Sequence, residues 1–225
     1  MMMILFAWDF HGVLEKDNDL AVMEVCNKVL EELNLSMRIT LEEVRKLYGA
    51  RWYDYFDYLL PNFSPDKKRK CAQRGIKIGL RIAANYIKPN DWAEYVLKEI
   101  TKKGHHNIVV STSTPAVIEW FVECTGLKRW IRDCFGIDPE INYHSAEGQF
   151  DRGLEKARII KEYARKIENL EKIVAIGDTK EDIRAGRLCG ATTYLYTYPY
   201  LLKRKEIEAD YHITDLREIL KEIKK

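Results

Sequence analysis

Residues that can bind ligands stand directly after apolar segments at three places in this 225-residue chain. Asp9 follows ILFAW, and the pair Ser111 and Thr112 follows NIVV. Asp178 follows KIVAIG, with Asp182 one helical turn later. If the apolar segments are parallel strands of one sheet, their carboxyl ends meet at one edge, where such sheets bind ligands. The spacing therefore predicts a polar site that combines carboxylates with hydroxyl groups.

Each of these residues also has a purely structural interpretation. A carboxylate after a strand often caps the following helix, so Asp178 and Asp182 could be a turn residue and a first-turn helix residue. Ser111 could likewise cap a helix, although Thr114 followed by Pro115 is the better N-cap sequence. The prediction of a site depends on the joint pattern rather than on any one residue.

The elements that would position this site alternate along the chain. Strands are predicted in ILFAW, NIVVS, EINYHSAE, KIVAIG, TTYLY and YHI. Helices are predicted between them, for example over residues 154–167, and a helix in TDLREILKEI closes the chain. Alternating strands and helices are typical of a parallel sheet covered on both faces. We therefore predict an α/β fold whose core is a Rossmann-like, doubly wound parallel sheet.

A long segment between the first two strands has helical patterns only. Thr40 and Glu43 form a capping-box pattern at one of its helix starts. We predict an all-helical domain over residues 16–94, inserted into an α/β core domain formed by residues 1–15 and 95–225. The aromatic stretch RWYDYFDY of the insert could face a ligand or form the insert's own core.

The composition argues against several classes of protein. Lys and Arg number 37 and Asp and Glu 35, so the net charge is only +2, and we expect neither a nucleic-acid partner nor a membrane partner. No apolar run approaches the roughly 18–20 residues of a membrane span. The five cysteines are scattered and form no CxxC pair, which predicts reduced thiols in a cytoplasmic protein rather than disulfides or a zinc site. The oligomeric state is left open.

Four segments resemble, in order, the motifs of the haloacid dehalogenase (HAD) superfamily, most of whose members are phosphatases: WDFHGVLE, NIVVSTS, EKARIIKEYA and KIVAIGDTKEDIRAG. VAIGDTKEDI is the most specific of them. The helical insert stands where that family places its cap domain, between the first and second motifs. The resemblance implies a Mg²⁺-dependent hydrolase that acts on a small phosphorylated metabolite through an aspartyl-phosphate intermediate.

The resemblance also assigns a role to each carboxylate of the predicted site. It implies that Asp9 is the nucleophile. It further implies that Asp9, the backbone carbonyl of His11 and Asp178 bind the metal ion through oxygen, as Mg²⁺ prefers. Asp182 would complete the metal site by positioning a metal-bound water, or would position Lys156.

The substrate phosphate would be bound by Lys156, Ser111 and Thr112. Lys156 would neutralise a phosphoryl oxygen and screen Asp9, which makes it a catalytic residue as well. The Ser111 hydroxyl and the Thr112 amide would donate hydrogen bonds to the phosphoryl oxygens. Arg152, one helical turn before Lys156, is the alternative cation, but the spacing of Lys156 matches the family's lysine better.

His11 departs from the family pattern. Phosphatases of the family usually have a second aspartate two residues after the nucleophile, which protonates the leaving oxygen and then activates water. Histidine can perform the same acid–base work near neutral pH, so we expect His11 to be a catalytic residue. The alternatives are a carbon–halogen or carbon–phosphorus bond hydrolase, and a HAD-fold binding module that has lost turnover. Asp178 argues against a metal-free dehalogenase, which has no need of a metal carboxylate.

Overall fold

The chain forms two compact units. A computed structural model describes residues 2–47, 49–137, 151–198 and 206–224. One unit comprises Met1–Lys16 and Pro89–Lys225, and the other comprises Asp17–Lys88. None of the described helices is both long and apolar enough to cross a membrane. All five cysteines are free.

The first unit contains a six-stranded sheet in which every pair of neighbouring strands is parallel. Two further strands, β2 and β3, lie where the chain leaves and re-enters this unit. The strands are β1 (Met3–Trp8), β2 (Glu15–Lys16), β3 (Lys88–Pro89), β4 (His106–Val110), β5 (Asp133–Phe135), β6 (Leu170–Gly177), β7 (Thr192–Tyr196) and β8 (Tyr211–Ile213). The sheet order is β5-β4-β1-β6-β7-β8. The predicted doubly wound, Rossmann-like α/β fold is thereby confirmed.

Strand β1 lies at the centre of the sheet, and its register sets the position of the predicted site. Its residues from Ile4 to Trp8 are buried, as expected for a central parallel strand with both faces covered. Trp8 pairs with Val109 on one side and with Ile176 on the other. The strands β1, β4 and β6 therefore end at the same level, and the residues that follow them meet at one edge.

The second unit is helical, as predicted. Its helices are α1 (Asn18–Glu32), α2 (Leu41–Lys46), α3 (Trp52–Leu59) and α4 (Pro65–Ala83). The predicted capping box is present, since the Thr40 hydroxyl accepts from the Glu43 amide and the Glu43 carboxylate accepts from the Thr40 amide. In the aromatic stretch, Tyr55 and Phe56 are buried in this unit's core, while Tyr58 is 50% exposed.

The remaining helices flank the sheet of the first unit. They are α5 (Ala93–Lys102), α6 (Pro115–Cys124), α7 (Arg152–Ala164) and α8 (Lys180–Leu188), with 3₁₀ helices at Lys128–Trp130 and Leu216–Ile223. The predicted closing helix is present as a 3₁₀ helix. Helix α7 begins before the predicted residue 154, because the Asp151 side chain caps it by accepting from the Leu154 amide at 2.9 Å.

The division between the units differs from the predicted domain bounds. Residues 89–94, which the prediction placed in the insert, lie with the first unit. The reason is a pair of hydrogen bonds: the Asn90 side chain donates to the Val13 carbonyl at 2.7 Å, and its amide donates to the Leu14 carbonyl at 2.8 Å. At the other end the division falls after Lys16 rather than after Glu15.

Strand β5 was not predicted. Its three residues, DCF, carry no apolar run, and they form a strand because they pair with β4 from Ile108 to Val110. The strand predicted in EINYHSAE, residues 140–147, lies outside the described residues.

Candidate active site

Asp9 and Lys156 meet at the carboxyl edge of the sheet. The Asp9 amide continues the ladder by donating to the Ile176 carbonyl at 2.8 Å, which fixes the residue directly after β1. The Lys156 ammonium, carried by α7, donates to Asp9 Oδ1 at 2.7 Å. Only 4% of the lysine side chain and 11% of the aspartate side chain are exposed. This pair is therefore a nearly buried ion pair between residues far apart in the sequence.

Asp182 is the second partner of Lys156, and its two carboxylate oxygens accept hydrogen bonds from different residues. Oδ1 accepts from the Lys156 ammonium. Oδ2 accepts from the Thr179 amide at 3.0 Å and from the Thr179 hydroxyl, which forms the capping box of α8. Asp182 is thus a first-turn carboxylate of α8 that also lies beside Lys156.

Gly177 explains how Asp182 reaches the edge. A Cβ atom on Gly177 would lie 2.0 Å from the Cβ of Asp182 and 2.4 Å from its Cγ. Any side chain at position 177 would therefore displace the Asp182 carboxylate from the strand end. The glycine in the sequence GDTKED is required by this close approach.

Asp178 completes a cluster of three carboxylates. Within the described part of the chain, Asp9, Asp178 and Asp182 offer carboxylate oxygens that all lie within 4.8 Å of one another. Asp9 and Asp182 share the single ammonium of Lys156, which leaves an excess of one negative charge when both carboxylates are ionised. Oxygen donors with this charge suit a hard divalent cation such as Mg²⁺ and not zinc held by cysteine or histidine.

The pKa shifts in the cluster reflect the same excess of negative charge. Burial raises the pKa of the Asp9 carboxyl; Lys156 opposes the rise and the Asp182 carboxylate adds to it. Burial alone would lower the pKa of Lys156, but the carboxylates of Asp182 and Asp9 outweigh it and raise that pKa. One ammonium does not fully compensate the buried carboxylates, and a bound cation would supply the missing charge.

The segment after β4 carries the predicted phosphate-binding residues. Ser111 is buried, its amide donates to the Phe135 carbonyl at 2.9 Å, and its hydroxyl accepts from the Ser113 amide at 3.1 Å. Gly136 lies against this segment: a Cβ there would lie 2.4 Å from the Ser113 carbonyl oxygen. The unpredicted strand β5 and Gly136 therefore hold Ser111, Thr112 and Ser113 at the edge next to β1.

His11 lies on the turn after Asp9, and both of its ring nitrogens have partners. Nδ1 lies 2.9 Å from Glu15 Oε1, and Nε2 lies 3.2 Å from the Ser113 hydroxyl. The imidazole also packs edge-on against Phe121, with ring centroids 4.7 Å apart. The Glu15 side chain is fully buried, and burial raises the pKa of its carboxyl while His11 opposes the rise.

The structure therefore brings most of the predicted residues together. Asp9, Lys156, Asp178 and Asp182 form one cluster, while Ser111 and Thr112 end the neighbouring strand. Lys156 reaches Asp9, whereas the alternative cation Arg152 is the first residue of α7. Thr114 is the N-cap of α6, as predicted, although its side chain makes no capping hydrogen bond.

Sequence reasoning missed two residues of this region, Glu15 and Ser113. Glu15 follows His11 by one helical turn, which is the only signal in the sequence that could have associated the two. Ser113 lies far from His11 in the chain and becomes its neighbour only through the pairing of β1 with β4.

The family model described as haloacid dehalogenase-like hydrolase matches residues 4–196. A comparison with curated proteins returns no significant match.

Solved structures share the fold over nearly the whole chain. A candidate phosphatase from Clostridium difficile has 15% identity and a TM-score of 0.78, with 99% of each chain covered. A haloacid dehalogenase-like hydrolase from Streptococcus pneumoniae has 17% identity and a TM-score of 0.76, with 99% of this chain and 98% of that chain covered. A predicted phosphoglycolate phosphatase from Haemophilus somnus has 16% identity and a TM-score of 0.73, with 99% of each chain covered. At these identities the likeness concerns the fold.

Proposed function

Because this chain belongs to the haloacid dehalogenase-like hydrolases, we propose that it is a Mg²⁺-dependent phosphatase of a small phosphorylated metabolite. The observation that carries this proposal is Asp9, a nearly buried carboxylate at the end of the central strand, paired with Lys156 beside two further carboxylates. Several solved proteins of the same fold are described as phosphatases. Their likeness to this chain supports a small phosphorylated substrate.

Asp9 is the proposed nucleophile. Its carboxylate oxygen attacks phosphorus, the bond from phosphorus to the leaving oxygen breaks, and an aspartyl phosphate forms. Lys156 sits on the Asp9 carboxylate, so it can neutralise negative charge on the nucleophile and on a phosphoryl oxygen. The Ser111 hydroxyl and the Thr112 amide, which end the neighbouring strand, donate hydrogen bonds to the other phosphoryl oxygens.

The proposed Mg²⁺ ligands are Asp9, Asp178 and the backbone carbonyl of His11. Both oxygens of Asp182 already have partners, so we assign Asp182 to positioning Lys156 or a metal-bound water. When bound, the ion would offset the charge of the carboxylates and of the substrate phosphate. The excess negative charge of the cluster fits an ion of this kind.

His11 is the proposed acid–base residue. Its imidazole donates a proton to the leaving oxygen and then takes one from the water that hydrolyses the aspartyl phosphate. Its position two residues after Asp9, in place of the usual aspartate, supports this role.

The unit Asp17–Lys88 is the proposed cap, which would select the substrate. Its buried lysine, Lys68, donates to Asp57 at 2.7 Å and to the Pro61 carbonyl at 3.2 Å. Lys68 is thus engaged in an ion pair and a backbone hydrogen bond within its own unit, which does not suit the free amine that forms a Schiff base in carbon–phosphorus bond hydrolysis. We also propose a cytoplasmic protein, in keeping with its scattered free cysteines.

A HAD-fold binding module is the second candidate, since both ring nitrogens of His11 are engaged in the structure. A screen of phosphorylated metabolites with and without Mg²⁺ separates the two candidates. Turnover that requires Mg²⁺ supports the phosphatase. Binding of phosphorylated compounds without turnover of any of them would support the binding module instead.

A further inference from the structure

Glu15, His11 and Ser113 form a hydrogen-bonded chain of three side chains. The imidazole of His11 stands in the middle, 2.9 Å from Glu15 Oε1 through Nδ1 and 3.2 Å from the Ser113 hydroxyl through Nε2. Phe121 and Phe10 both pack against the ring at nearly right angles, with centroids 4.7 Å and 5.4 Å away. The ring plane is therefore fixed by packing, and the identity of each nitrogen is fixed by its partner.

The burial of Glu15 is the unusual feature. Its side chain is fully buried, while 23% of the His11 side chain is exposed. Among the described residues, Glu15 Oε2 is one of two buried side-chain atoms without a hydrogen-bond partner. Burying a carboxylate lowers stability, and an apolar side chain would fill the same space at less cost. A role in the fold alone does not account for the charge.

The backbone of Glu15 shows which of its contacts need the carboxylate. Its amide donates to the Phe10 carbonyl at 3.2 Å, and its carbonyl accepts from the Tyr198 hydroxyl at 2.9 Å. Both contacts would survive a change of side chain. The hydrogen bonds that depend on the carboxylate are the one to His11 and the one from the Gly12 amide.

The chemistry of the carboxylate then determines the tautomer of His11. Burial raises the pKa of the Glu15 carboxyl, and the hydrogen bond with His11 opposes that rise. In its ionised form Glu15 only accepts hydrogen bonds, so the imidazole then has a proton on Nδ1. Nε2 is left as the nitrogen that exchanges protons, and it faces Ser113 in the segment that carries Ser111 and Thr112. A carboxylate that holds a histidine in this way is a general device for orienting an acid–base residue.

We propose that Glu15 is a positioning residue. It holds His11 with a proton on Nδ1, so that Nε2, which faces Ser113, is the nitrogen that exchanges protons with the substrate. This proposal rests on the proposed acid–base role of His11. In the first half-reaction His11 starts as the imidazolium ion, protonated on both nitrogens with Nδ1–H donating to Glu15; the phosphorus–oxygen bond of the substrate breaks, and the leaving oxygen takes the proton of Nε2. In the second half-reaction water attacks the aspartyl phosphate, its proton passes to Nε2, and Asp9 is released as a carboxylate together with phosphate.

The test compares Glu15→Gln with Glu222→Gln. Glu222 is a partly buried carboxylate of the same unit, with 9% of its side chain exposed, and it pairs with Lys172 at 2.6 Å and with the Tyr194 hydroxyl. We expect Glu15→Gln to lower kcat on an alkyl phosphate by roughly 10–100-fold, a part of what a general acid–base group contributes. On nitrophenyl phosphate, whose leaving group needs little protonation, the loss should stay below about threefold. Glu15→Asp should recover part of the activity on the alkyl phosphate, and Glu222→Gln should leave both rates unchanged.

A second readout needs no turnover. In protein labelled with ¹⁵N-histidine, with the His11 signals assigned by their loss in His11→Gln, the shifts of wild type should report the Nδ1–H tautomer. Glu15→Gln should give a mixture of tautomers. If Glu15→Gln does not fold, the wild-type tautomer remains decisive, because a neutral imidazole of His11 with its proton on Nε2 would overturn the proposal.

The outcomes separate this proposal from the proposed function. If wild type is active and Glu15→Gln loses equal activity on the two substrates, or loses none, the role of Glu15 is overturned. The proposal of a phosphatase then still stands. A wild type inactive on every phosphomonoester would overturn the phosphatase, and the catalytic role of Glu15 with it.

Discussion

Two buried lysines, one in each unit, show what distinguishes a structural ion pair from a site. Lys68 in the helical unit has one carboxylate partner, Asp57, which is 56% exposed, so water solvates that charge. Lys156 in the α/β unit has two carboxylate partners, Asp9 and Asp182, both at most 11% exposed. The first arrangement is balanced by its own residues and the solvent, whereas the second has surplus negative charge.

The surplus of negative charge supports the proposed catalytic site at the edge of the sheet. Buried carboxylates that outnumber their cations lower stability until a cation binds. Such a cluster persists where function needs a reactive carboxylate and a divalent ion. The comparison predicts that changes at Lys156 and its partners affect activity, whereas changes at Lys68 and its partner leave activity intact.

The largest effect is expected for Asp9→Asn. The amide is a poor nucleophile, so turnover of any phosphomonoester should fall by a factor on the order of 10⁶, as for loss of a nucleophile in other hydrolases. The fold should be retained, because the substitution removes the surplus charge. The matched control is Asp57→Asn at the partner of Lys68, which should keep the kcat of wild type. Steady-state kinetics and circular dichroism of both variants check this, and comparable activity in the two would refute a covalent role for Asp9.

The next largest effect is expected for Lys156→Met compared with Lys68→Met. Removing Lys156 leaves its carboxylates buried without a cation, so the free energy of unfolding should fall by about 3–5 kcal/mol without Mg²⁺. Turnover should fall by a factor on the order of 10³, as for loss of a group that stabilises transition-state charge. Removing Lys68 exposes Asp57 to water and should lower the free energy of unfolding by only about 1 kcal/mol. Urea denaturation of both proteins measures the difference, and equal destabilisation would erase the distinction between the two lysines.

His11→Ala should act on the rate in a way that depends on the substrate. On an alkyl phosphate kcat should fall by about 10²–10⁴-fold, the usual range for a general acid–base group. On nitrophenyl phosphate the loss should be much smaller, because nitrophenolate leaves without a proton. His11→Asp, which restores the residue usual in the family, should retain or raise activity. A His11→Ala variant as fast as wild type on the alkyl phosphate would remove His11 from the mechanism.

The smallest effect is expected on stability, from Mg²⁺ itself. The ion should stabilise the α/β unit by about 2.7 kcal/mol at a concentration 100 times its dissociation constant. Asp178→Asn, which removes one of the carboxylates of the cluster, should abolish most of this gain. Thermal unfolding with and without Mg²⁺ measures it, and an equal rise in Tm for wild type and Asp178→Asn would place the ion elsewhere.

The sequence predicts those parts of the fold that depend on local pattern. The apolar runs around Leu5, Val109 and Ile176 become the three central strands, because a parallel strand buried on both faces must be apolar throughout. Strand β5 escapes prediction, since its residues pair with β4 without an apolar pattern of their own. The closing segment has helical spacing, yet it adopts 3₁₀ geometry that no local signal distinguishes from an α-helix.

Some residues of the candidate site can likewise be predicted from local pattern, and others cannot. Asp9 and Asp178 can be found from the sequence because each directly follows a recognisable strand. Lys156 is preferred over Arg152 because its ammonium donates to Asp9. That contact depends on how α7 packs. Glu15 and Ser113 cannot be identified in advance, because only the tertiary structure brings them to the two nitrogens of His11.

The central claim is that the carboxylate of Asp9 takes up the phosphoryl group. The most direct measurement is mass spectrometry of the peptide that contains Asp9, after an acid quench of the enzyme during turnover of a phosphomonoester with Mg²⁺. We expect this peptide to carry the mass of one phosphoryl group in wild type, and the corresponding peptide of Asp9→Asn to carry none. Steady hydrolysis by wild type with the phosphoryl group on another residue, or with no labelled peptide at any quench time, would contradict the claim.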